Sequence, residues 1–265
     1  PGKHSKKRRI MANFAPVKKE SHQNLKVTTQ RGLPDISNQH IIATHAREFP
    51  QLATSFPIFL IKDGERYRPV LMTGLEAGEN LFYKDGVLDS LFMPQALALA
   101  PFSLGLDPEK ERTLTTCVDL DSEYVGDDKD LPLFDENGEE TTLFKNIQES
   151  LGDLYNSEVL TEKFVKELVD NELLAELQLN IDFASGEKKK LVGLFGIDEQ
   201  KLQALSDEKI IDFTKRGIFV PMHAMLLSLG QINRLAKLRN ESDGQKVVGL
   251  RIAPADQEEQ QAANA

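Results

Sequence analysis

This chain of 265 residues contains few cysteines, no tryptophan and no long apolar runs. Cys117 is the single cysteine, so no disulfide can form within the chain, and such cysteine usage is typical of a reducing cytoplasm. No apolar run approaches the roughly 20 residues of a transmembrane helix, so no membrane span is predicted. The apolar core of a secretory signal peptide is also missing after Met11, and we therefore expect a cytoplasmic protein.

Charge is distributed unevenly along the sequence. Lys and Arg number 32 against 42 Asp and Glu, which gives a net charge of −10. Residues 1–10 are basic, so the rest of the chain is more acidic than this total. Because a strongly acidic body repels phosphate backbones, we predict no nucleic-acid partner. Met11 resembles a natural start, and we interpret residues 1–10 as upstream or vector-derived sequence.

The sequence motifs of common enzymes and cofactor sites are missing. The chain has no phosphate-binding glycine loop, no H-E-x-x-H and no cysteine pair. The acidic stretch 119–130 begins like a calcium-binding loop, but Tyr124 replaces the required glycine and Asp130 the required glutamate. Ser228 lies in a helical pattern and Cys117 in an apolar strand, and neither context is typical of a nucleophile. We predict no cofactor, no metal site and, on balance, no enzymatic activity.

The first half of the chain has the alternating, apolar pattern of β-strands. Residues 56–61 and 67–75 flank Asp63-Gly64, and this dipeptide between two apolar runs predicts a hairpin. Residues 113–120 alternate and are rich in β-branched side chains, which predicts a further strand.

The second half changes to helical spacing. Apolar residues recur every three or four positions from 143 to 155, and Thr161 is a candidate N-cap for a separate helix over 162–177. Residues 177–183 and 190–197 then predict a late hairpin.

Three short signals and one long stripe mark the remaining helices. Asp198 and Ser206 are candidate N-caps, and Gly217 after a basic turn predicts a helix end. An apolar stripe over 221–239 predicts the last helix. We expect this helix to pack in the core, with a homodimer through it as the alternative.

Strands dominate the first half and helices the second, which predicts an α+β fold. The sheet is expected to be mostly antiparallel, built from the N-terminal half and the late hairpin and packed with C-terminal helices. We predict a disordered leader over 1–22, a single domain over 23–240 and a polar tail over 241–265.

A set of residues in the order of the chain resembles the SapC family of bacterial proteins, from about Ser21 to Leu238. These residues are His22 and Leu25-Lys26-Val27, Glu48-Phe49, Phe56-Pro57-Ile58-Phe59, Gly74-Leu75, Asn80-Leu81-Phe82, Pro94, Pro101-Phe102, Leu191-Val192-Gly193-Leu194, Asp198-Glu199, Leu202, Gly217 and Ser228-Leu229.

The chain also departs from this family pattern. A tryptophan is expected before Pro94 and is absent here, and alanine and leucine replace the basic-aromatic stretch at residues 96–100. The resemblance implies an association with surface-layer or other cell-surface material of Gram-negative bacteria. It implies no reaction, because it brings no catalytic residues.

The leading hypothesis is a non-enzymatic accessory protein that binds an unknown protein partner in a surface-layer or envelope-uptake system. The alternative is an enzyme or small-ligand-binding protein with an unfamiliar site. In that case the candidate ligand-binding residues are His22, Glu48, Asn80, Pro101 and Phe102, because polar residues flanked by apolar strands can converge on a pocket.

Overall fold

The structure of the chain is a computed structural model that describes residues 13–29 and 31–255. The elements of the first half are β1 (Phe14–Pro16), α1 (Lys19–His22), β2 (Lys26–Val27), β3 (Ile41–Ala43), α2 (Phe49–Leu52), β4 (Ile58–Asp63), β5 (Arg66–Met72), β6 (Tyr83–Lys84), β7 (Val87–Leu88), α3 (Gln95–Ala98), β8 (Phe102–Leu106), β9 (Leu114–Asp119), β10 (Val125–Gly126) and β11 (Leu131–Pro132). Those of the second half are α4 (Thr142–Asp170), β12 (Leu174–Phe183), β13 (Lys188–Ile197), α5 (Glu199–Gln203), α6 (Asp207–Arg216), α7 (Phe219–Ser228), α8 (Ile232–Glu241) and β14 (Val247–Pro254).

The described residues form two compact units. The single domain predicted over 23–240 stays a prediction. The smaller unit joins the described residues up to Pro34 to Leu99–Leu154. The larger unit joins Asp35–Ala98 to the residues from Tyr155 onward. Each unit is therefore assembled from two separate stretches of chain, a division that no compositional linker marks.

The smaller unit contains two small antiparallel sheets and an apolar core. Its sheets have the strand orders β1-β9-β8 and β10-β2-β11. The predicted strand at 113–120 is present as β9. The core collects side chains from the strands and from the first turns of α4, and the rings of Phe134 and Phe144 meet edge to face with centroids 5.5 Å apart.

The larger unit is built on one six-stranded antiparallel sheet with the order β14-β12-β13-β4-β5-β3. The predicted late hairpin, β12 with β13, extends the predicted early hairpin, β4 with β5, because β13 pairs with β4. Helices α7 and α8 pack on this sheet. The α+β fold class predicted from the sequence is confirmed.

The late hairpin carries a bulge that its sequence explains. The register between β12 and β13 shifts between Leu177 and Leu179, with an extra residue in β13. Gly193 lies at this shift with φ +76°, a backbone conformation that side chains other than hydrogen disfavour. Glycine at this position therefore lets the strand bend without breaking the sheet.

The prediction of two helices on either side of Thr161 is wrong, because α4 continues without a break through this residue. The Thr161 hydroxyl does not cap a helix. It donates to the Ser157 carbonyl (2.7 Å) and accepts from the Ala46 amide (2.9 Å). The threonine that was predicted to cap a helix thus makes a tertiary contact, because its hydroxyl accepts a hydrogen bond from an amide far away in the sequence.

The prediction of one helix over 221–239 is also corrected, since a short 3₁₀ segment, Leu229–Gln231, separates α7 from α8. Ser228 closes α7 and is fully buried. Its hydroxyl donates to the Met225 carbonyl (2.6 Å) and accepts from the Ile58 amide at the start of β4 (2.9 Å). This serine therefore fastens the helix to the sheet.

The predicted caps are confirmed, and the segments expected to form the termini contain secondary structure. The Asp198 carboxylate accepts from two backbone amides of α5, the Ser206 hydroxyl caps α6, and Gly217 ends α6 in the left-handed region. The expected polar tail over 241–265 contains β14, an edge strand of the large sheet. The expected leader over 1–22 contains β1 and α1, while residues 1–12 and 256–265 lie outside the described residues.

An ionic cluster around the buried Arg239 joins α8 to the loop after β5. Arg239 is only 6% exposed, and its guanidinium bonds the Glu79 carboxylate and the Gln245 carbonyl, with Glu76 3.4 Å away. Glu79 also accepts from the amides of Leu75 and Glu76 (2.7 and 3.1 Å). The Glu79 carboxylate and the Arg239 guanidinium thus pair with each other and also hydrogen-bond the backbone groups around them.

Candidate functional site

Three of the five predicted site residues belong to the smaller unit. His22 ends α1, and its Nδ1 atom accepts from the Lys18 amide (3.0 Å). Pro101 and Phe102 are buried at the start of β8, and the Arg31 guanidinium lies 5.6 Å from the Phe102 ring centroid. Burial lowers the pKa of Arg31. The described contacts of these residues are structural, and their ligand-binding role stays a prediction.

The other two predicted site residues, Glu48 and Asn80, belong to the larger unit. Asn80 is buried, and its side-chain amide both donates and accepts a hydrogen bond. Its nitrogen donates to the Ile36 carbonyl (3.2 Å) and its oxygen accepts from the Phe82 amide (3.0 Å). This side chain therefore holds the turn after β5.

Glu48 is the predicted residue with the most informative surroundings. Its carboxylate accepts from the Gln95 amide (2.6 Å) at the start of α3 and from the Thr44 hydroxyl (3.4 Å). The Nδ1 atom of His45 lies 3.5 Å from the same carboxylate and is buried without a hydrogen-bond partner in the described chain. The carboxylate therefore fixes the end of the segment that leads into α3.

The segment that Glu48 fixes exposes three consecutive apolar side chains. Leu91, Phe92 and Met93, named here the apolar loop, are 80%, 43% and 41% exposed. The Leu91 amide donates to the Ser55 hydroxyl (3.4 Å), and the Ser90 hydroxyl donates to the Phe92 carbonyl (2.8 Å). The loop is therefore bonded to the body close to its exposed side chains.

Arg234 of α8 holds the other end of the apolar loop. Its guanidinium donates to the Asp89 carbonyl (3.0 Å), pairs with the Asp89 carboxylate (2.8 Å) and lies 5.0 Å from the Phe82 ring centroid. It also reaches the Ser55 carbonyl (3.5 Å). Ionic and cation–π contacts of Arg234 thus stabilise the segment that leads into the apolar loop.

Sequence reasoning missed this loop. The only signal was the run of three apolar residues before Pro94, which is equally typical of a buried strand end. The sequence alone does not reveal this exposure, because the groups that anchor the loop come from three distant segments, represented by Glu48, Ser55 and Arg234.

A second apolar feature of the larger unit is an open groove of about 620 Å³ between α5, α6 and α7. The apolar part of its lining comes from Leu202, Ile210, Phe219, Leu226 and Leu227. His223 also lines it, and its ring stacks on Phe219 with centroids 5.8 Å apart. The groove offers apolar contact and few polar groups.

The described residues offer little that could bind a metal ion or cross a membrane. In residues 13–29 and 31–255, no group of three or more His, Cys, Asp or Glu side chains is placed to hold a metal ion. Across the same part of the chain, none of the helices combines the length and the apolar character that crossing a bilayer requires.

Comparison with known proteins agrees with the resemblance seen in the sequence. The family model described as SapC matches residues 17–235, which is most of the chain. The match includes the five predicted site residues, the apolar loop and the lining of the groove. Neither the curated proteins nor the solved structures contain a match to this chain.

Proposed function

Because the chain belongs to the SapC family, we propose that it is a non-enzymatic accessory protein that binds a protein partner in a bacterial surface-layer or envelope-uptake system. The observation that carries this proposal is the apolar loop, Leu91–Phe92–Met93. Three neighbouring apolar side chains in water have a free-energy cost that a partner with an apolar pocket removes.

The anchoring of the loop supports binding. A free loop loses conformational entropy when it docks, and this loss weakens the complex. Here Glu48, Ser55 and Arg234 already hold the loop in one conformation. Less entropy is lost on docking, so a small apolar contact gives a useful affinity. Aromatic and methionine side chains are also common at the centres of protein interfaces.

Charge favours a protein partner over an anionic membrane. The chain carries a net charge of −10, and Asp85 and Asp89 lie close to the loop in sequence. The cation beneath the loop, Arg234, is already paired with Asp89. A loop that inserts into an anionic bilayer needs unpaired cations around it, which attract the lipid headgroups. We therefore propose a protein with an apolar pocket as the partner.

The described contacts do not favour a second function. Asn80 and Glu48 use their polar atoms to hold the backbone, and His22 accepts a backbone amide. The proposal includes a cytoplasmic location, which the single buried cysteine suits. Fractionation of the native host, followed by detection of the chain in the cytoplasmic or envelope fraction, tests that part.

The function is tested by capturing the partner through the loop. The wild-type chain and a variant with Leu91, Phe92 and Met93 each changed to serine are used as baits in a lysate of the native host. A partner retained by the wild type is expected to lose at least about tenfold of its affinity for the variant, since central apolar anchors each contribute about 1 kcal/mol or more.

The matched control replaces three exposed apolar residues elsewhere with serine: Leu106, Leu114 and Val248. This variant is expected to retain the partner. Circular dichroism checks that both variants fold. The proposal is wrong if the captured proteins do not change when the apolar loop is replaced, or if both variants lose them equally.

A further inference from the structure

Helix α6 is unusually exposed for a helix with apolar residues. Phe213 is its one buried side chain among those described, and its ring meets Phe219 edge to face at 5.7 Å. Ile210 and Ile211 are 38% and 54% exposed. A helix of ten residues thus turns two isoleucines toward water, which is costly unless another surface covers them.

One exposed face of α6 has an isoleucine between an acidic and a basic residue. Glu208, Ile211 and Lys215 follow one another at spacings of three and four residues, so they share one helix face, and all three are exposed. The ion pairs of α6 in the described chain use Arg216, which contacts Asp212 and Glu167. Glu208 and Lys215 have no ion pair there.

We propose that this face is a two-fold interface with a second copy of the chain. In an isologous dimer the same patch meets itself, and a helix lying across the two-fold axis meets its copy in the antiparallel direction. Glu208 of one copy then faces Lys215 of the other, and Ile211 faces Ile211 at the centre. The patch is therefore complementary to itself in charge and in polarity.

The groove beside α6 extends the same surface. Ile210 of α6 and Leu227 of α7 line it, and Leu227 is 77% exposed. Val220, near the start of α7, is also 57% exposed. This extension matters because stable dimers bury about 800 Å² on each partner, more than one helix about 15 Å long supplies. The interface therefore comprises the outer face of α6 and the neighbouring side of α7. The dimer considered from the sequence, through residues 221–239, shares only the α7 part of this interface.

The test exchanges the charges at the two ends of α6 and measures the molar mass by sedimentation velocity over a range of concentrations. The wild type is expected to show a monomer–dimer equilibrium. E208K alone places two lysines opposite each other, and K215E alone places two glutamates opposite each other. Each variant is expected to weaken dimerisation by at least about tenfold.

Mixing the two variants is the decisive step. A chain with E208K and a chain with K215E form two attractive pairs across the same axis, so the equimolar mixture is expected to recover the dimer. The double variant E208K/K215E is expected to recover it as well, because both pairs are reversed together. Charge reversals of the same sign on α4, E158K and K163E, serve as controls that keep wild-type dimerisation.

Three results would overturn the proposal. The first is a wild-type chain that stays monomeric up to about 0.5 mM, a concentration well above the micromolar Kd of weak interfaces of standard size. The second is a dimer that both single reversals leave intact. The third is a mixture that recovers no dimer although both variants fold by circular dichroism.

Discussion

The smaller and the larger unit differ in the kinds of contact that stabilise each of them internally. Of the buried polar residues in the described chain, Thr116 belongs to the smaller unit and the other nine to the larger unit. The smaller unit has strands of two to six residues around an apolar cluster. The larger unit has two strands of ten residues, and hydroxyl, amide and guanidinium groups join its helices and loops to the sheet.

This difference teaches where each unit is vulnerable. An apolar core loses stability in proportion to the cavity that a smaller side chain leaves. A buried polar joint loses stability when one partner is removed and the other stays unpaired. We expect the larger unit to depend on a few polar residues and the smaller unit on its packing.

The most severe test of this contrast is Arg239→Met in the larger unit. The substitution keeps an apolar chain of similar length but removes the cation that Glu79 and Glu76 contact. It also removes the donor to the Gln245 carbonyl. We expect the free energy of unfolding to fall by about 3 kcal/mol or slightly more, as measured by urea denaturation, because the Glu79 carboxylate, only 20% exposed, loses its cation.

Arg251→Met on β14 is the control for this prediction. Arg251 is exposed, and its loss is expected to change the free energy of unfolding by no more than about 0.5 kcal/mol. Equal effects of the two variants would show that the ionic cluster contributes nothing special to the larger unit.

The corresponding test in the smaller unit is Leu151→Ala. Leu151 is fully buried in the apolar cluster, at the side of α4 that faces the small sheets. Its truncation is expected to lower the free energy of unfolding by about 3 kcal/mol, because it leaves a cavity among apolar neighbours. Leu106→Ala, at a position 72% exposed, should have almost no effect. If Leu151→Ala lowered the free energy of unfolding by less than about 1 kcal/mol, the smaller unit would not depend on its packing as proposed.

The smallest expected effect concerns acid pH and Glu76. Burial favours the neutral acid, but Lys189 and Arg239 outweigh it and hold the pKa of Glu76 below its ordinary value of 4.5. The lowered pKa means that this carboxylate stabilises the fold fully above about pH 4.5, and that the contribution is lost as the pH falls through the lower pKa of the folded state. Because Glu76 is part exposed, the contribution is below about 1 kcal/mol.

Urea denaturation of the wild type and of Glu76→Gln between about pH 6 and pH 3 measures this contribution. The difference between the two is expected to shrink toward acid pH. A difference that is constant or grows toward acid pH would exclude the ionic role of Glu76.

Local signals in the sequence predicted the parts of the fold that local forces determine. The two hairpins follow from alternation and turn residues, and Asp198, Ser206 and Gly217 cap their helices as expected. Distant contacts decided the rest. Thr161 has a capping side chain, yet the amide of Ala46 uses it inside a continuous helix. The edge strand β14 forms because β12 is there to pair with it.

The candidate site was harder to predict for the same reason. Glu48 was singled out, but its contact with the Gln95 amide was not visible in the sequence. The exposure of Leu91, Phe92 and Met93 depends on Ser55 and Arg234, which lie far away along the chain. A run of apolar residues gives no sign of which side will face water until the groups beneath it are known.

The pairing of β4 with β13 has a consequence for synthesis on the ribosome. Leu60 and Ile61 of β4 pair with Phe195 and Leu194 of β13, about 130 residues later. At about 5–20 residues per second, the β4 edge waits about 7–27 s for its partner strand. During this interval the nascent chain presents the unpaired backbone of an apolar strand. We therefore expect synthesis of this chain to depend on chaperones that shield such an edge until β13 has been made.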